Sequence, residues 1–295
     1  MSSLQLFVAC VSIWGTTWLA ITFQLGRVPP EASVAYRFLL AAVLMFAYCR
    51  ARGLTLRLPA RTHAWIALQG VFMFGASYVL VYYAEQRLAS GLVAVGYSAS
   101  PLLGMVGQRV FLGTPMTARV AIGSLLGICG IALVFAPEIA LTGAAAPSML
   151  GIVCTMLAVI CSMFGSVTAH RNQDAGIPLW QTMAFGMLYG AAFSAALNLA
   201  LGQPFAFEAT VAYVASLAYL AVCGSILAFA AFLTLIGQIG AARASYVGVM
   251  TPVIALTVSA AFEGFDWQPL TWAGMAVSLA GNVLILARSG PRTSR

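Results

Sequence analysis

Two short stretches carry the residues best suited to chemistry. One is Tyr97-Ser98-Ala99-Ser100-Pro101, inside an apolar run, and the other is Tyr246 to Thr251-Pro252, inside a second. Proline within a helix removes one backbone hydrogen bond and kinks the chain. In lipid the freed carbonyl must be covered by protein or face a water-filled cavity. Hydroxyls beside such a kink can bind a polar solute. Arg37 adds a cation within an apolar run, where a charge costs about 3 kcal/mol at the bilayer centre and needs a partner in the bundle. Its two readings are a substrate or gate contact, and a structural or snorkelling arginine. Trp14, Tyr78 and Tyr82 add aromatic surface, with Tyr78 and Tyr82 on one helix face at i, i+4. Aromatic walls with a few hydroxyls suit a medium-sized, partly apolar organic solute. The expected substrate-binding set is Trp14, Arg37, Tyr78, Tyr82, Tyr97, Ser98, Ser100, Tyr246 and Thr251, with Pro101 and Pro252 as conformational kinks.

Nothing in the chain reads as catalytic. There is no nucleophile elbow, no His-Glu-x-x-His, no phosphate loop and no dinucleotide fingerprint. The expectation is no catalytic residue, no metal and no cofactor. Both histidines, His63 and His170, are expected as solvated residues at span ends. No ATP site is legible, so uphill movement must draw on an ion or substrate gradient. Glu85 is expected as a solvated cap at the end of the third span, which leaves a relay of buried carboxylates without support.

These residues need a scaffold, and composition names it. Of 295 residues, 62% are hydrophobic and 7% charged, against roughly 25% charged in soluble domains. The chain is therefore read as an integral membrane protein. A crossing helix needs about 20 apolar residues, and the expected spans are 4–24, 32–50, 64–84, 88–112, 118–136, 148–170, 178–201, 211–237, 240–262 and 269–287. Turn signals separate them, among them Arg27-Val-Pro-Pro-Glu31 and the stretch from Pro137 to Pro147. Met1 to Gln5 lacks the basic start of a signal peptide, so the first span is expected to be retained. The six cysteines lie in apolar runs without a Cys-x-x-Cys pair and read as buried hydrophobes.

The net charge of +7 comes from arginines alone. Threading the spans alternately gathers Arg50, Arg52, Arg57, Arg61, Arg119, Arg171, Arg288, Arg292 and Arg295 on one side. By the positive-inside rule that side, and both termini, are cytoplasmic. The basic balance thus speaks for topology, not for nucleic acid.

The chain also repeats itself. A shift of 151 residues brings Pro101 onto Pro252, Phe111 onto Phe262, Gly113 onto Gly264, Gly123 onto Gly274 and Gly130 onto Gly281. A shift of 149 brings Pro29 onto Pro178. The fold class expected is all-α integral membrane, with ten transmembrane helices as two inverted five-helix repeats, 1–140 and 145–290. An odd number of helices per half inverts the second half, the plan of secondary transporters. Small residues at Gly123, Gly127 and Gly130, and at Gly274, Ser278 and Gly281, permit close helix approach. They read as a dimer face, a central seam or ordinary packing.

Taken together, these features resemble the EamA-like exporters of the drug/metabolite transporter superfamily. The resemblance rests on Trp14-Gly15, Tyr36-Arg37-Phe38-Leu39-Leu40-Ala41, Pro101, Val110-Phe111-Leu112-Gly113, Gly123-x6-Gly130, Thr251-Pro252 and Gly274-x6-Gly281. It covers nearly the whole chain. One departure is Thr114, where the family usually carries glutamate. The resemblance implies an inner-membrane exporter of amino acids, related metabolites or drugs, working by alternating access, as a monomer or homodimer in the lipid bilayer, with no nucleic-acid partner. The rival reading is a membrane scaffold or assembly protein with the same bundle.

Overall fold

The computed structural model describes residues 1–99, 103, 106–107, 109–111, 113, 118–142, 147–239, 246–264 and 268–286. Most of these residues are helical, with no strand among them. Helix α1 spans Ser3–Thr22 and α2 spans Pro30–Ala51. Helix α3 runs Ala60–Glu85 with a π-helical stretch at Val71–Ala76. Then come α4 (Ser90–Tyr97), α5 (Ala118–Thr142), α6 (Pro147–Asp174) and α7 (Leu179–Ala200). Helix α8 comprises Val211–Tyr219, a second π-helical stretch Leu220–Leu227, and Ala228–Ile239. Helices α9 (Tyr246–Phe262) and α10 (Pro269–Leu286) follow.

Local chemistry sets the ends. Ser2 and Gln5 form a capping box at the start of α1, which satisfies two orphan donors reciprocally. Pro30 sits at the start of α2, where its missing N–H costs nothing. Helices α6 and α7 end alike. Gly176 (φ 69°) and Gly202 (φ 65°) take the left-handed conformation. The following amides close onto Asn172 and Asn198 carbonyls at 3.0 Å each, the pattern that satisfies a last turn.

Among the described residues, six helices are long and apolar enough to cross a membrane: α1, α2, α3, α6, α7 and Val211–Phe232 of α8. Shorter apolar helical stretches are Ala121–Pro137 in α5 and Met250–Phe262 in α9. Large apolar side chains such as Val43, Leu125, Ile128 and Leu199 stand exposed on the outside of the bundle. Lipid accepts such a surface and water does not. The protein is a multi-pass membrane protein.

Between the helices, glycines set the spacing. A Cβ added at Gly274 would lie 2.6 Å from the Gly130 carbonyl oxygen, and one at Gly281 would lie 2.8 Å from the Gly127 amide nitrogen. The two small-residue stripes therefore pack on each other, α5 against α10, within one chain. The same device joins α3 to α7, where a Cβ on Gly190 would meet the Gly70 carbonyl oxygen at 2.9 Å.

Two boundaries differ from expectation. Pro137 was expected to end a span, but α5 continues through it to Thr142. A helix in lipid has no water to take over its backbone bonds, so losing one bond is cheaper than losing the turn. A single fourth span, 88–112, was also expected. The structure ends α4 at Tyr97 with Ser98 as its cap, and the Ser98 hydroxyl donates to the Val95 carbonyl at 2.6 Å. That side-chain bond competes with continuation of the helix.

Candidate functional site

A cavity of about 240 Å3 lies between helices α1, α3, α4, α6, α8 and α9. Helix α1 contributes Trp14, Thr17 and Trp18, α3 contributes Tyr78, α4 contributes Tyr97 and Ser98, α6 contributes Ser162, and α9 contributes Thr251 and Pro252. Met73, Phe74 and Phe229 complete the wall.

Two of the polar aromatics, Trp14 and Tyr97, are held by specific bonds. The Trp14 indole N–H donates to the Gly224 carbonyl at 3.2 Å. Its ring packs on Phe229 and Phe232, each at 5.3 Å between centroids. Gly224 belongs to the second π-helical stretch, whose wide turn leaves carbonyls free for side chains. Ser77 donates to the Ala158 carbonyl at 2.9 Å, so the Tyr97 hydroxyl, 2.8 Å from Ser77, donates to it in turn. Tyr97 also meets Trp18 edge-on at 5.4 Å. These bonds leave ring faces, not hydroxyls, as the main surface of the cavity.

Pro252 lies inside α9. It has no N–H to give to the carbonyl four residues back, which is that of Gly248. Gly248 lines the cavity. An unpaired carbonyl beside a cavity is the arrangement that makes an intramembrane proline tolerable.

The structure thus brings Trp14, Tyr78, Tyr97, Ser98, Thr251 and Pro252 to one cavity. Two expected members stand behind the wall instead. Arg37 is 1% exposed, and its guanidinium lies 4.5 Å from the Tyr78 ring centroid and 5.1 Å from that of Phe38. Its Nε donates to Ser225 Oγ at 3.4 Å. The snorkelling reading of Arg37 is therefore wrong: the side chain turns into the bundle and braces Tyr78 by a cation–π contact. Tyr82 is fully buried, and its hydroxyl donates to Gln24 Oε1 at 2.7 Å. Ser100 and Pro101 lie outside the described residues, as does the side chain of Tyr246.

Sequence reasoning missed Phe74, Phe229 and Gly248, which carry no polar signal. It also misjudged two residues at helix ends, His63 and Glu85, and passed over a third, Glu31. His63 is half-buried, 2.9 Å from the Tyr189 hydroxyl and edge-on to Phe185 at 4.6 Å. Glu31, in the first turn of α2, is fully buried and accepts a hydrogen bond from the Tyr83 hydroxyl at 2.5 Å. Glu85 is 6% exposed and is no solvated cap. In each case a helix distant in sequence covers the terminal residue, which the sequence around it cannot reveal.

The model of the EamA-like transporter family matches residues 1–136 and again 149–287. The chain belongs to the EamA-like transporter family. Among its curated relatives is the uncharacterized inner membrane transporter YedA of Escherichia coli K12, 26% identical, with 92% of this chain and 87% of that protein covered. Protein PecM of Dickeya dadantii is 24% identical over 85% of this chain and 80% of its own length. A probable terminal-alkyne amino-acid exporter of Streptantibioticus cattleyicolor is 26% identical over 96% and 92%. These EamA-like relatives place the chain in the drug/metabolite transporter superfamily. One solved crystal structure superposes with a TM-score of 0.68 over 96% of each chain at 19% identity, which concerns the fold alone.

Proposed function

We propose that this EamA-like protein is an inner-membrane exporter of small organic solutes that works by alternating access. Amino acids, related metabolites and amphipathic drugs are the substrate classes that fit. The observation that carries the reading is the cavity, walled by Trp14, Trp18, Tyr78 and Tyr97, beside a Gly248 carbonyl to which Pro252 offers no N–H. Ring faces with a few hydroxyls bind a partly apolar solute without holding it too tightly to release. The amino-acid exporter among the relatives supports the substrate class.

Alternating access needs two halves that can rock, and we read ten spans in two inverted five-helix repeats, 1–140 and 145–290. Support comes from the two π-helical stretches. Val71–Ala76 and Leu220–Leu227 begin 149 residues apart, the same shift that brings Pro29 onto Pro178. It also brings Gly75 onto Gly224. The double match of the family model supports the same division. The α5 and α10 stripes pack on each other within one chain, so a monomer suffices. With the arginine-rich side inside, both termini are cytoplasmic.

Efflux tests the reading. Cells expressing the wild type are loaded with a panel of amino acids and cationic dyes, and the loss of label is followed. Wild type should empty faster than Tyr97→Ala by about tenfold, a loss of roughly 1.4 kcal/mol of binding. Val43→Ala, on the lipid-facing surface, should match wild type. Equal retention by wild type and empty vector across the panel would leave the scaffold reading.

A further inference from the structure

One end of the bundle holds a polar layer with no part in the cavity wall, buried at Gln24, Glu31, Tyr82, Glu85 and Ser90 and closed on its exposed side by Glu263. Here α1, α3 and α9 finish and α2 and α4 begin. Three contacts tie these ends together. The Tyr82 hydroxyl donates to Gln24 Oε1 at 2.7 Å, and the Tyr83 hydroxyl to Glu31 Oε1 at 2.5 Å. The Glu263 carboxylate accepts from the Ser90 amide at 3.2 Å and from the Ser90 hydroxyl at 2.5 Å. That last contact caps α4 from the far end of α9.

Glu85 lies inside this layer. Both of its carboxyl oxygens are buried without a hydrogen-bond partner. Arg37 is also buried, with its Nη1 unpartnered, yet no ion pair joins the two among the described residues. A carboxylate in such a place lacks the donors that would offset its lost hydration. A carboxylic acid does not need them.

We propose that Glu85 is the proton-carrying residue of the transport cycle. It holds a proton while the Glu263–Ser90 contact seals this end, and it exchanges that proton when the contact opens. The inference rests on the transport reading above. In the exchange the Glu85 O–H bond breaks, the proton passes to water admitted at the opened end, and the electron pair stays on the carboxylate. The same water returns a proton in the reverse step. The charged groups that reach Glu85 are Arg37 from α2 and Glu263 from the end of α9. Tyr82 precedes it on α3 and is itself reached by Tyr213 of α8. Glu31 is engaged by Tyr83, whose ring also carries Arg87 at 5.9 Å.

The layer is wired to the cavity by two routes. Val81, one turn before Glu85 on α3, lines the cavity. Arg37, whose charge acts on Glu85, rests on the Tyr78 ring, which also lines it. A negative charge on Glu85 draws the guanidinium toward it and so loosens the Tyr78 wall. That is differential contact in two states, which is what coupling requires.

Two measurements on purified protein test this without any transported solute. The first follows the infrared carbonyl band of protonated carboxyl groups through a pH titration and on exchange into heavy water. Wild type and Glu31→Gln should show a buried, slowly exchanging component that Glu85→Gln lacks. The second places a cysteine at Ile21, a cavity residue toward this end, in a background without the native cysteines. Its reaction with a soluble thiol reagent, divided at each pH by that of the same cysteine in a chain carrying Glu85→Gln, which cancels the ionisation of the thiol itself, should rise by about fivefold or more from acid to alkaline pH. A thermal melt checks that Glu85→Gln, an uncharged isostere, stays folded. An unchanged infrared band in Glu85→Gln would overturn the proposal. So would a pH response of the Ile21 cysteine that Glu85→Gln leaves intact, or stabilisation by sodium ion in place of the proton. Failure of the efflux test would remove the transport cycle, while these two readouts would still report whether Glu85 binds a proton.

Discussion

Replacing Arg37 by alanine should abolish solute efflux and lower the melting temperature of the purified protein. The side chain is the largest fully buried one in the described residues. It bonds Ser225 in the α8 π-helical stretch and braces Tyr78. Truncation opens a void, and large-to-small changes at buried sites cost about 2–5 kcal/mol. It also frees the Tyr78 ring to leave the cavity wall. Arg37→Lys should restore folding only in part and efflux hardly at all. A lysine ammonium is a hydrated point charge and cannot stack a planar group on Tyr78 while reaching Ser225. Thermal unfolding and efflux of the alanine, lysine and methionine variants separate the two effects. Full efflux by Arg37→Met at normal expression would show the arginine to be dispensable packing.

Replacing Pro252 by alanine should move stability and activity in opposite directions. Alanine restores an N–H for the Gly248 carbonyl, and an interior proline costs about 3 kcal/mol relative to alanine in a helix. The α9 helix should therefore stiffen, and the protein should melt at a higher temperature. The same bond takes the Gly248 carbonyl out of the cavity wall, and the substitution removes the proline proposed as the flexible point of α9. Efflux should fall by about tenfold or more, the usual exchange of function for stability at a strained site. A variant that is both less stable and fully active would contradict this account of the proline.

The sequence carried these two predictions unequally. Pro252 was legible because proline has one mechanism wherever it stands in a helix, and because the chain repeats it at Pro101. The glycine stripes were legible for the same reason, although only the structure shows that they face each other. Arg37 was half legible: its cost in lipid demands a partner, but Tyr78 and Ser225 come from α3 and α8. Glu85 was misread. By position it ends a helix, yet it is buried, and the charges that act on it come from Arg37, nearly fifty residues before it, and Glu263, nearly two hundred after it. The π-helical stretches left no local mark, since glycine at Gly75 and Gly224 is common in membrane helices for other reasons. Their shared offset with the proline register is a signal that a search for repeats could have used.

The central claim is that the cavity around Ser98 and Thr251 opens in turn to each side of the membrane. A single cysteine at Ser98, in a chain whose six native cysteines have been replaced, tests it most directly. A membrane-impermeant thiol reagent is applied to right-side-out vesicles and, separately, to inside-out vesicles. The account predicts reaction from both faces, slowed in each case by a solute that the protein exports. Reaction from one face alone, whatever the solute, would contradict it.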